Sequence, residues 1–371
     1  MIKVLHILTD SNIGGAGIYL ENYLKHFDQA RFSMTVVLPT GSLLLPKIQA
    51  LNIPVVEAEE IAEKSFSLSS IQILRYIIRR EQPQIVHTHG SLSGRIAAKQ
   101  CGVKIVYTRH CAFPVPTYLQ KGPGHWLNGV INGYLADQII AVSPAAAKNL
   151  TDSGVSEKKI TAMMNGCQSL KKSTPEQCAA LREKLNIPDG TFTMGIMARL
   201  EPYKGHMQLL EAAKALKAQC REFRILICGS GSKEENLRSA IARMNLGAQV
   251  SMLGFVPNVS EILSILDVQV NCSYGTETSS IALIEGMTLG VATVASDYGG
   301  NPWLVENGIN GLLYETMNSR DLEEKLAQLM DHPDLLQNIR HNARRVYEEK
   351  FTGEIFARNI EAVYEKAIDK K

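Results

Sequence analysis

The sequence predicts an α/β protein composed of two doubly wound domains, each with a parallel sheet between layers of helices. Short runs rich in Val, Ile and Leu alternate with amphipathic helical patterns along nearly the whole chain, which is typical of parallel sheets covered on both faces. The alternation begins again at residue 193, after a polar stretch. Because 371 residues exceed one ordinary hydrophobic core, two domains are expected.

Apolar runs predict five strands in each domain, with helical patterns between them. The strands predicted for the first domain are residues 2–8, 34–38, 84–89, 104–108 and 138–143. Those predicted for the second domain are residues 193–200, 223–229, 249–255, 268–273 and 291–296. The clearest helical patterns are residues 19–27, 71–80, 207–219 and 280–290.

The domain joint is predicted within residues 166–190, which begin as a polar segment. This divides the chain into a first domain of residues 1–168 and a second of residues 169–352. Residues 318–371 have the pattern of three helices, and the last, 353–371, is expected to pack back on the first domain. Two such Rossmann-like domains are expected to face each other across a cleft, where the carboxyl ends of strands bind ligands.

Composition and charge exclude several classes of protein. A hydrophobic content of 45% with 20% charged residues indicates a soluble globular chain, and a net charge of +2 gives no electrostatic case for nucleic-acid binding. Seven cysteines without a CxxC pair indicate reduced thiols, neither a disulfide framework nor a zinc site. With no signal peptide and no apolar run near ~20 residues, a cytoplasmic protein is expected, one that could still contact a membrane surface.

The first strand leads into TDSNIGGAGIYLENY, a loop with glycines before a helix. Gly14, Gly15 and Gly17 could let backbone N–H groups approach a phosphate or a sugar at the helix start. Leu20 stands where a dinucleotide fingerprint needs its third glycine, and no GxxxxGK[ST] motif occurs in the chain. An ordinary strand-to-helix turn is the alternative interpretation.

Two later motifs contain charged candidates for a ligand site. In ARLEPYKGH, Arg199 and Lys204 lie between a strand and a helix, where both cations suit a diphosphate; the alternative is two solvated surface cations. In GTETSSIALIEGMTLG, Glu277 lies just outside a helix capped by residues 278–280. Glu285 lies inside that helix, where it could accept hydrogen bonds from ribose hydroxyls or simply belong to a polar face.

Histidines end two strands of the first domain, at His87, His89 and His110. Three imidazoles could suggest a metal, but no carboxylate or cysteine spacing completes a zinc site, and no DxD motif occurs. No metal is therefore expected. His110, beside Arg109 at a strand end, is the histidine favoured for function.

Taken in order, GGAG, VHTH, TRH, NG, RLEPYKG, GSG, GFV and ETSSIALIE resemble the motifs of the retaining glycosyltransferases of family 4, which have the GT-B fold. The resemblance implies that Arg199 and Lys204 hold the diphosphate of a nucleotide sugar, and that no metal cofactor and no enzymic nucleophile are needed. Glu277 and His110 would contact the donor sugar, and Glu285 the ribose. Further donor contacts are implied at Gly14, Gly15, Gly229, Gly231, Val256, Ser279, Ser280 and Ile281.

The resemblance predicts transfer of a hexose to a glycan or lipid-linked acceptor in polysaccharide or cell-envelope synthesis. Thr278 and Ser280 replace glycines that the family often has, which leaves the donor sugar open. Residues 111–129 could rest on a membrane interface, or form an ordinary loop and helix packed on the first domain. The alternative functions are a non-hydrolysing nucleotide-sugar epimerase and a non-catalytic nucleotide-sugar-binding scaffold.

Overall fold

A computed structural model describes residues 1–369 and divides into two compact units. Unit 1 contains Met1–Cys167 together with the residues from Gly353 onward, and unit 2 contains Gln168–Thr352. The sequence-based boundary was one residue later, at 168. Both units are α/β structures with a single parallel sheet, as the alternating pattern predicts.

Unit 1 has a seven-stranded parallel sheet in the order β3-β2-β1-β4-β5-β6-β7. The order reverses between β1 and β4, so the loops after these two strands diverge and leave room for a ligand. The strands are β1 (Ile2–Leu8), β2 (Phe32–Pro39), β3 (Val55–Ala58), β4 (Ile85–His89), β5 (Lys104–Arg109), β6 (Gln138–Ala141) and β7 (Ile160–Ala162). The helices between them are α1 (Gly15–Leu24), α2 (Leu45–Gln49), α3 (Leu68–Glu81), α4 (Leu92–Gln100), α5 (Thr117–Gln120), α6 (Gly122–Tyr134) and α7 (Pro144–Asp152).

Unit 2 has a six-stranded parallel sheet in the order β10-β9-β8-β11-β12-β13, which reverses between β8 and β11. Its strands are β8 (Phe192–Met197), β9 (Phe223–Cys228), β10 (Val250–Gly254), β11 (Val268–Asn271), β12 (Ala292–Ser296) and β13 (Gly311–Tyr314). Its helices are α8 (Pro175–Lys184), α9 (His206–Ala218), α10 (Glu234–Arg243), α11 (Val259–Ser264), α12 (Ile281–Thr288), α13 (Asn301–Leu304), α14 (Ser319–Asp331) and α15 (Pro333–Lys350).

The last helix, α16 (Gly353–Asp369), belongs to unit 1. It packs against α1 and against β5 and β6 of the sheet. Phe356, Ile360 and Tyr364 are fully buried on its inner face. Burial of each such side chain stabilises the unit by about 1.5–3 kcal/mol, which is why an amphipathic helix at the chain end stays on the sheet.

Three strands were missed by the sequence-based prediction: β3, β7 and β13. All three lie at sheet edges and contain only three or four residues, too few for a periodic pattern. The predicted joint also contains more structure than expected. Within it α8 begins with a capping box, in which Thr174 and Gln177 satisfy each other's backbone N–H groups.

Candidate functional site

The best-defined cluster of predicted site residues is an ion pair in unit 2. Lys204 Nζ donates to Glu277 Oε2 at 2.8 Å. Glu277 is only 6% exposed, and Lys204 is partly buried. Lys204 ends the 3-10 turn Pro202–Lys204 that follows β8, whereas Glu277 lies in the loop after β11. These are the two strands at which the sheet order reverses, so the pair lies at the ligand-binding position of a doubly wound sheet.

Two residues that the sequence-based prediction missed complete the surroundings of Glu277. Ser273 Oγ donates to Glu277 Oε2 at 2.8 Å, and Asn271 Nδ2 donates to the same oxygen at 3.2 Å. Asn271 is the last residue of β11, and Ser273 follows two residues later. Polar residues at the end of the apolar run VQVNCS could have identified both from the sequence. Among the contacts described for residues 1–369, none engages Oε1.

The environment keeps Glu277 ionised. Burial alone would raise the pKa of this carboxyl, but the Lys204 charge and the hydrogen bonds from Lys204, Ser273 and Asn271 outweigh it and hold the pKa below its ordinary value. The next residue but one after Lys204, His206, is also buried, and burial lowers its pKa to about 4. The site therefore contains a permanent carboxylate and a neutral imidazole at neutral pH.

Arg199 lies two residues beyond the end of β8 and is exposed. Its Nη2 donates to the Tyr203 hydroxyl at 2.9 Å, and no carboxylate forms an ion pair with it in the described part of the chain. The guanidinium thus retains donors for an anionic ligand. Both cations follow β8 in the chain, as predicted, although only Lys204 contacts Glu277.

Gly229 and Gly231, two of the implied donor contacts, lie against the segment that contains Arg199. A Cβ atom on Gly229 would approach the Ala198 carbonyl oxygen to 2.0 Å, and one on Gly231 would approach the Leu200 backbone to 2.6 Å. Gly229 also has a φ of +142°, and its N–H donates to Gly254 O at 2.7 Å. Val256, two residues further on, is half-buried against the core of unit 2. Only glycine permits this close approach of loops.

The helix α12 positions the other predicted donor contacts. Ser280 is its N-cap and accepts from Leu283 N at 3.4 Å and from Asn271 Nδ2 at 3.3 Å. Ile281 is the first helical residue, and Ser279 is buried just before it. Glu285 is half-exposed, whereas Glu277 is buried, so the free-energy cost of burying a carboxylate falls on Glu277.

In unit 1, Gly14 and Gly15 lie where β1 meets α1. Gly14 is the N-cap of the helix, and a Cβ atom there would lie 2.7 Å from Asp10 Oδ2. Gly15 is exposed, and a Cβ atom added to it would meet no other atom of the described chain within 4 Å. The donor contacts implied for these two glycines stay a prediction.

His110 is one end of a chain of hydrogen-bonded side chains across three neighbouring strands. His110 Nε2 and His89 Nδ1 are 2.9 Å apart, and His89 Nε2 and His6 Nδ1 are 3.1 Å apart. The Tyr364 hydroxyl then bridges His6 Nε2 at 3.3 Å and His87 Nδ1 at 2.7 Å. We call these five residues the histidine chain. His6 and Tyr364 were not identified from the sequence.

Burial keeps the histidines of this chain uncharged. It lowers the pKa of His6 and of His110 to about 3, and it lowers the pKa values of His87 and His89 well below the ordinary range. A neutral imidazole has one N–H and one lone pair, so the hydrogen bonds through His6, His89 and His110 must all run in the same direction, as far as the Tyr364 hydroxyl, which can donate or accept. That direction fixes whether Nδ1 of His110 donates or accepts.

Three histidines of the chain also form the one group described in residues 1–369 with metal-ligand geometry. His6, His87 and His89 each have a nitrogen within 4.8 Å of the others. Both ring nitrogens of each of these histidines take part in hydrogen bonds, including His87 Nε2 with Thr108 Oγ1 at 2.6 Å, so an ion would have to replace some of those bonds. The absence of a metal cofactor stays a prediction.

Residues 111–129 are more helical than a loop, because they contain α5 and most of α6. None of the residues of α6 is buried. Trp126 is 68% exposed, although the helix itself contacts the rest of unit 1, where Asn128 Nδ2 donates to Ser153 O. Further exposed apolar side chains of this region are Phe113, Tyr118, Leu127, Val130, Ile131 and Tyr134. None of the helices described in residues 1–369 is long and apolar enough to cross a membrane.

The two units match two neighbouring family models. Residues 13–168 match the family described as Glycosyltransferase Family 4, and residues 179–346 match the family described as Glycosyl transferases group 1. Together these ranges cover most of the chain. The protein belongs to the family 4 glycosyltransferases, and its two Rossmann-like units are those of the GT-B fold.

Individual relatives agree with this assignment. The chain is 26% identical over 339 residues to EpsD of Bacillus subtilis (strain 168), named provisionally as a glycosyltransferase, with 87% of this chain and 86% of that protein covered. It is similar in structure to Anabaena Alr3699/HepE in complex with UDP and glucose, at a TM-score of 0.83, 20% identity, and coverage of 98% and 100%. A glycosyltransferase from Rickettsia africae ESF-5 has a TM-score of 0.84 at 21% identity, with 100% and 99% covered.

Proposed function

We propose that this glycosyltransferase moves a hexose from a nucleotide diphosphate sugar to a glycan or lipid-linked acceptor, with retention of the anomeric configuration and without a metal. The observation that carries the proposal is the buried Lys204–Glu277 pair at the strand reversal of unit 2. It combines a cation for the leaving group with a carboxylate for sugar hydroxyls. Polysaccharide or cell-envelope synthesis is the proposed setting.

In this proposal Lys204 and Arg199 stabilise the departing nucleoside diphosphate. Negative charge grows on the leaving oxygen in the transition state, and a cation fixed in a partly buried site interacts with it more strongly than a solvated one. The Glu277 contact orients the Lys204 ammonium before substrate binds, and Arg199 provides donors suited to two phosphate oxygens.

Glu277 is proposed to hold the donor sugar as a permanent acceptor. Its lowered pKa makes it a poor general acid, and its Oε2 already accepts from Lys204, Ser273 and Asn271. Oε1 is then the oxygen for a sugar hydroxyl. No nucleophile is assigned, and the departing phosphate takes the acceptor proton. Glu285 is proposed to bind the ribose, and His110 to contact the transferred sugar as a neutral imidazole.

Relatives support the substrate classes. The Anabaena structure contains UDP and glucose, which favours a nucleotide diphosphate hexose as donor. The chain is 26% identical over 322 residues to the alpha-monoglucosyldiacylglycerol synthase of Acholeplasma laidlawii, whose name describes a glycolipid product. That relative favours an acceptor with a lipid part.

The reaction is tested by incubating the protein with labelled nucleotide hexoses, with and without acceptor extracts and EDTA. Acceptor-dependent release of nucleoside diphosphate that persists in EDTA, with the product anomer matching the donor, is the expected result. Isomerised donor without transfer would make the protein an epimerase. Binding without either reaction would make it a scaffold, and loss of activity in EDTA would contradict metal independence.

Lys204→Ala is expected to lower kcat by ~10²-fold or more, because a preorganised charge at the leaving group is lost. The matched control is Lys214→Ala on α9, which removes an exposed lysine of the same unit. Steady-state rates with saturating donor measure the effect. Equal rates for Lys204→Ala and the control would contradict the role assigned to Lys204.

The exposed apolar side of α6 is proposed as a peripheral membrane contact. Trp126 is one of two tryptophans, and the other, Trp303 in unit 2, can be replaced by Phe so that Trp126 reports alone. Vesicles are expected to shift the Trp126 emission to shorter wavelength, because an indole at a membrane interface leaves water. Trp126→Ser should weaken vesicle sedimentation. Unchanged emission at saturating lipid would contradict the contact.

A further inference from the structure

Unit 1 also contains a polar pocket whose lining includes none of the residues of the histidine chain. It has a volume of about 340 Å³ and is enclosed by side chains from α4, β5, α6 and α7 and by the segment before α5. One wall is polar and contains Arg95, Arg109 and three asparagines. The other wall is apolar and contains Phe113 and Leu119.

Arg95 is an unusual residue for this position because it is only 7% exposed. Its guanidinium lies over the Tyr107 ring, 4.3 Å from the ring centre, and Nη1 donates to Asn132 Oδ1 at 2.8 Å. Its Nε is buried without a hydrogen-bond partner. Burial and the charge of Arg109 lower the pKa of Arg95, which indicates two cations close together.

Arg109, the last residue of β5, also has a guanidinium nitrogen without a hydrogen-bond partner. Its Nη2 donates to Asn149 Oδ1 at 3.2 Å, and its Nε is buried without a partner. The asparagines that contact the two arginines are neutral, and no carboxylate of residues 1–369 forms an ion pair with either guanidinium. Burying the Arg95 charge without an opposite charge is unfavourable, and the partly exposed Arg109 adds a second cation to the same pocket. Two cations lining one pocket favour an anion there.

We propose that Arg95 and Arg109 bind the phosphate group of a phosphate-linked amphiphile, the lipid-linked form of the acceptor. Two guanidinium groups can each form paired hydrogen bonds with a phosphate, which has enough acceptor oxygens for both. The apolar wall extends to Phe113, which is 56% exposed, and so fits a hydrocarbon chain attached to that phosphate. The assignment to the acceptor rests on the proposed function, whereas the anion site itself does not.

Calorimetry on the whole chain tests the site without turnover. The probes are decyl phosphate below its micelle concentration, inorganic phosphate, and decyl glucoside, which has the chain but no phosphate. Decyl phosphate is expected to bind most tightly, and Arg109→Gln and Arg95→Gln should each weaken it ~10-fold or more. The control Lys148→Gln, on α7 and exposed, should bind as the unsubstituted protein does.

Two results would overturn the proposal. If both arginine variants bound decyl phosphate as tightly as the unsubstituted protein does, the anion site would be wrong. If inorganic phosphate bound as tightly as decyl phosphate, the assignment to an amphiphile would be wrong. Arg95 is buried, so Arg95→Gln could fail to fold, and Arg109→Gln is the variant that keeps the test decisive. The melting temperature of the unsubstituted protein should rise with decyl phosphate, whereas that of Arg109→Gln should not.

The link to the acceptor is tested separately. In the transfer reaction, Arg109→Gln should raise KM for a phosphate-linked acceptor ~10-fold and leave KM for the nucleotide sugar unchanged. Lys204→Ala should abolish most transfer and still bind decyl phosphate normally. If binding depends on the arginines but acceptor KM does not, the anion site stands and its assignment to the acceptor is wrong.

Discussion

Each unit buries a polar cluster at the reversal of its parallel sheet, but the two clusters differ in charge. In unit 2 the cluster is charged, with Lys204 and Glu277 in direct contact. In unit 1 it is neutral, with four histidines and Tyr364 joined by hydrogen bonds. A buried charge persists only where an opposite charge accompanies it, whereas a buried imidazole can simply lose its proton.

The difference implies a division of chemistry. The charged cluster can stabilise a leaving group whose charge changes during the reaction, because its own charge is fixed. The neutral chain can orient hydroxyls without adding charge, since each histidine can donate at one nitrogen and accept at the other. Four predictions test this comparison, from the largest expected effect to the smallest.

Acid should weaken unit 1 more than unit 2. Histidines with folded pKa values below the unfolded value of about 6.5 take up protons on unfolding, so their stabilisation is present above pH 6.5 and is lost as pH falls toward their folded values of about 3. Four such histidines lie in unit 1, for a loss on the order of several kcal/mol by pH 5. In unit 2, His206 behaves in the same way, with a folded pKa of about 4.

Hydrogen exchange at pH 7 and pH 5, corrected for intrinsic rates, measures the two units separately. Peptides from β1, β4 and β5 should lose protection first. Glu277 does not alter this order, because its depressed pKa gives stability that is lost only as pH falls below about 4.5. His206→Gln should make unit 2 still less sensitive. Equal loss of protection in both units would contradict the contrast.

Glu277→Gln is expected to lower the free energy of unfolding by about 3 kcal/mol, because it leaves Lys204 partly buried without its partner. The rate of transfer should also fall by ~10²-fold or more. Glu285→Gln is the matched comparison. Because Glu285 is half-exposed, the free energy of unfolding should change little. Because Glu285 is proposed to bind the ribose, donor KM should rise by ~10-fold. Chemical denaturation and initial rates measure both effects.

A double variant separates the two roles of the pair. Lys204→Met with Glu277→Leu removes both charges, and hydrophobic replacements of a buried pair are often tolerated. Stability should therefore recover relative to Glu277→Gln, while transfer stays low. A double variant that recovered activity as well would mean that the pair serves only folding.

The sequence was informative where a pattern is local. Continuous apolar strands identified both sheets, and ARLEPYKGH located the two cations because the strand end and the helix start are neighbours in sequence. Burial was less predictable. Glu285 lies in an apolar run yet is half-exposed. Glu277 lies in a polar run and is buried, since the loop after β12 packs against it and Gly300 N donates to Glu277 O at 3.1 Å. Helix periodicity predicts which side chains of a helix are buried, but it gives no prediction for a loop residue such as Glu277.

Contacts between distant segments could not be predicted. His6 lies in β1 and Tyr364 in α16, and their contact depends on the last helix packing back on the sheet. A histidine inside IKVLHIL was a signal, because a polar residue in an otherwise apolar strand needs a partner, but the sequence did not say which. Arg95 and Arg109 share a pocket for the same reason of tertiary packing.

Tyr364→Phe should have the smallest effect of the four. It removes one hydroxyl from the histidine chain, leaving His6 Nε2 and His87 Nδ1 without that partner, at a cost of about 1–3 kcal/mol. Tyr314→Phe is the control: it breaks a buried contact of the same kind in unit 2, the 3.1 Å hydrogen bond to Gln208 Oε1. Both variants should lose similar stability by chemical denaturation.

Only Tyr364→Phe should change the tautomers of the distant His110. The hydrogen bonds of the segment His6–His89–His110 all run in one direction, and the Tyr364 hydroxyl at its end helps to select that direction, so removing the hydroxyl allows both. Nitrogen-15 spectra of histidine-labelled protein separate Nδ1–H from Nε2–H. A mixed population at His110 in Tyr364→Phe, with a single form in Tyr314→Phe, is the expected result. An unchanged His110 tautomer would mean that its local contacts, and not the chain, orient it.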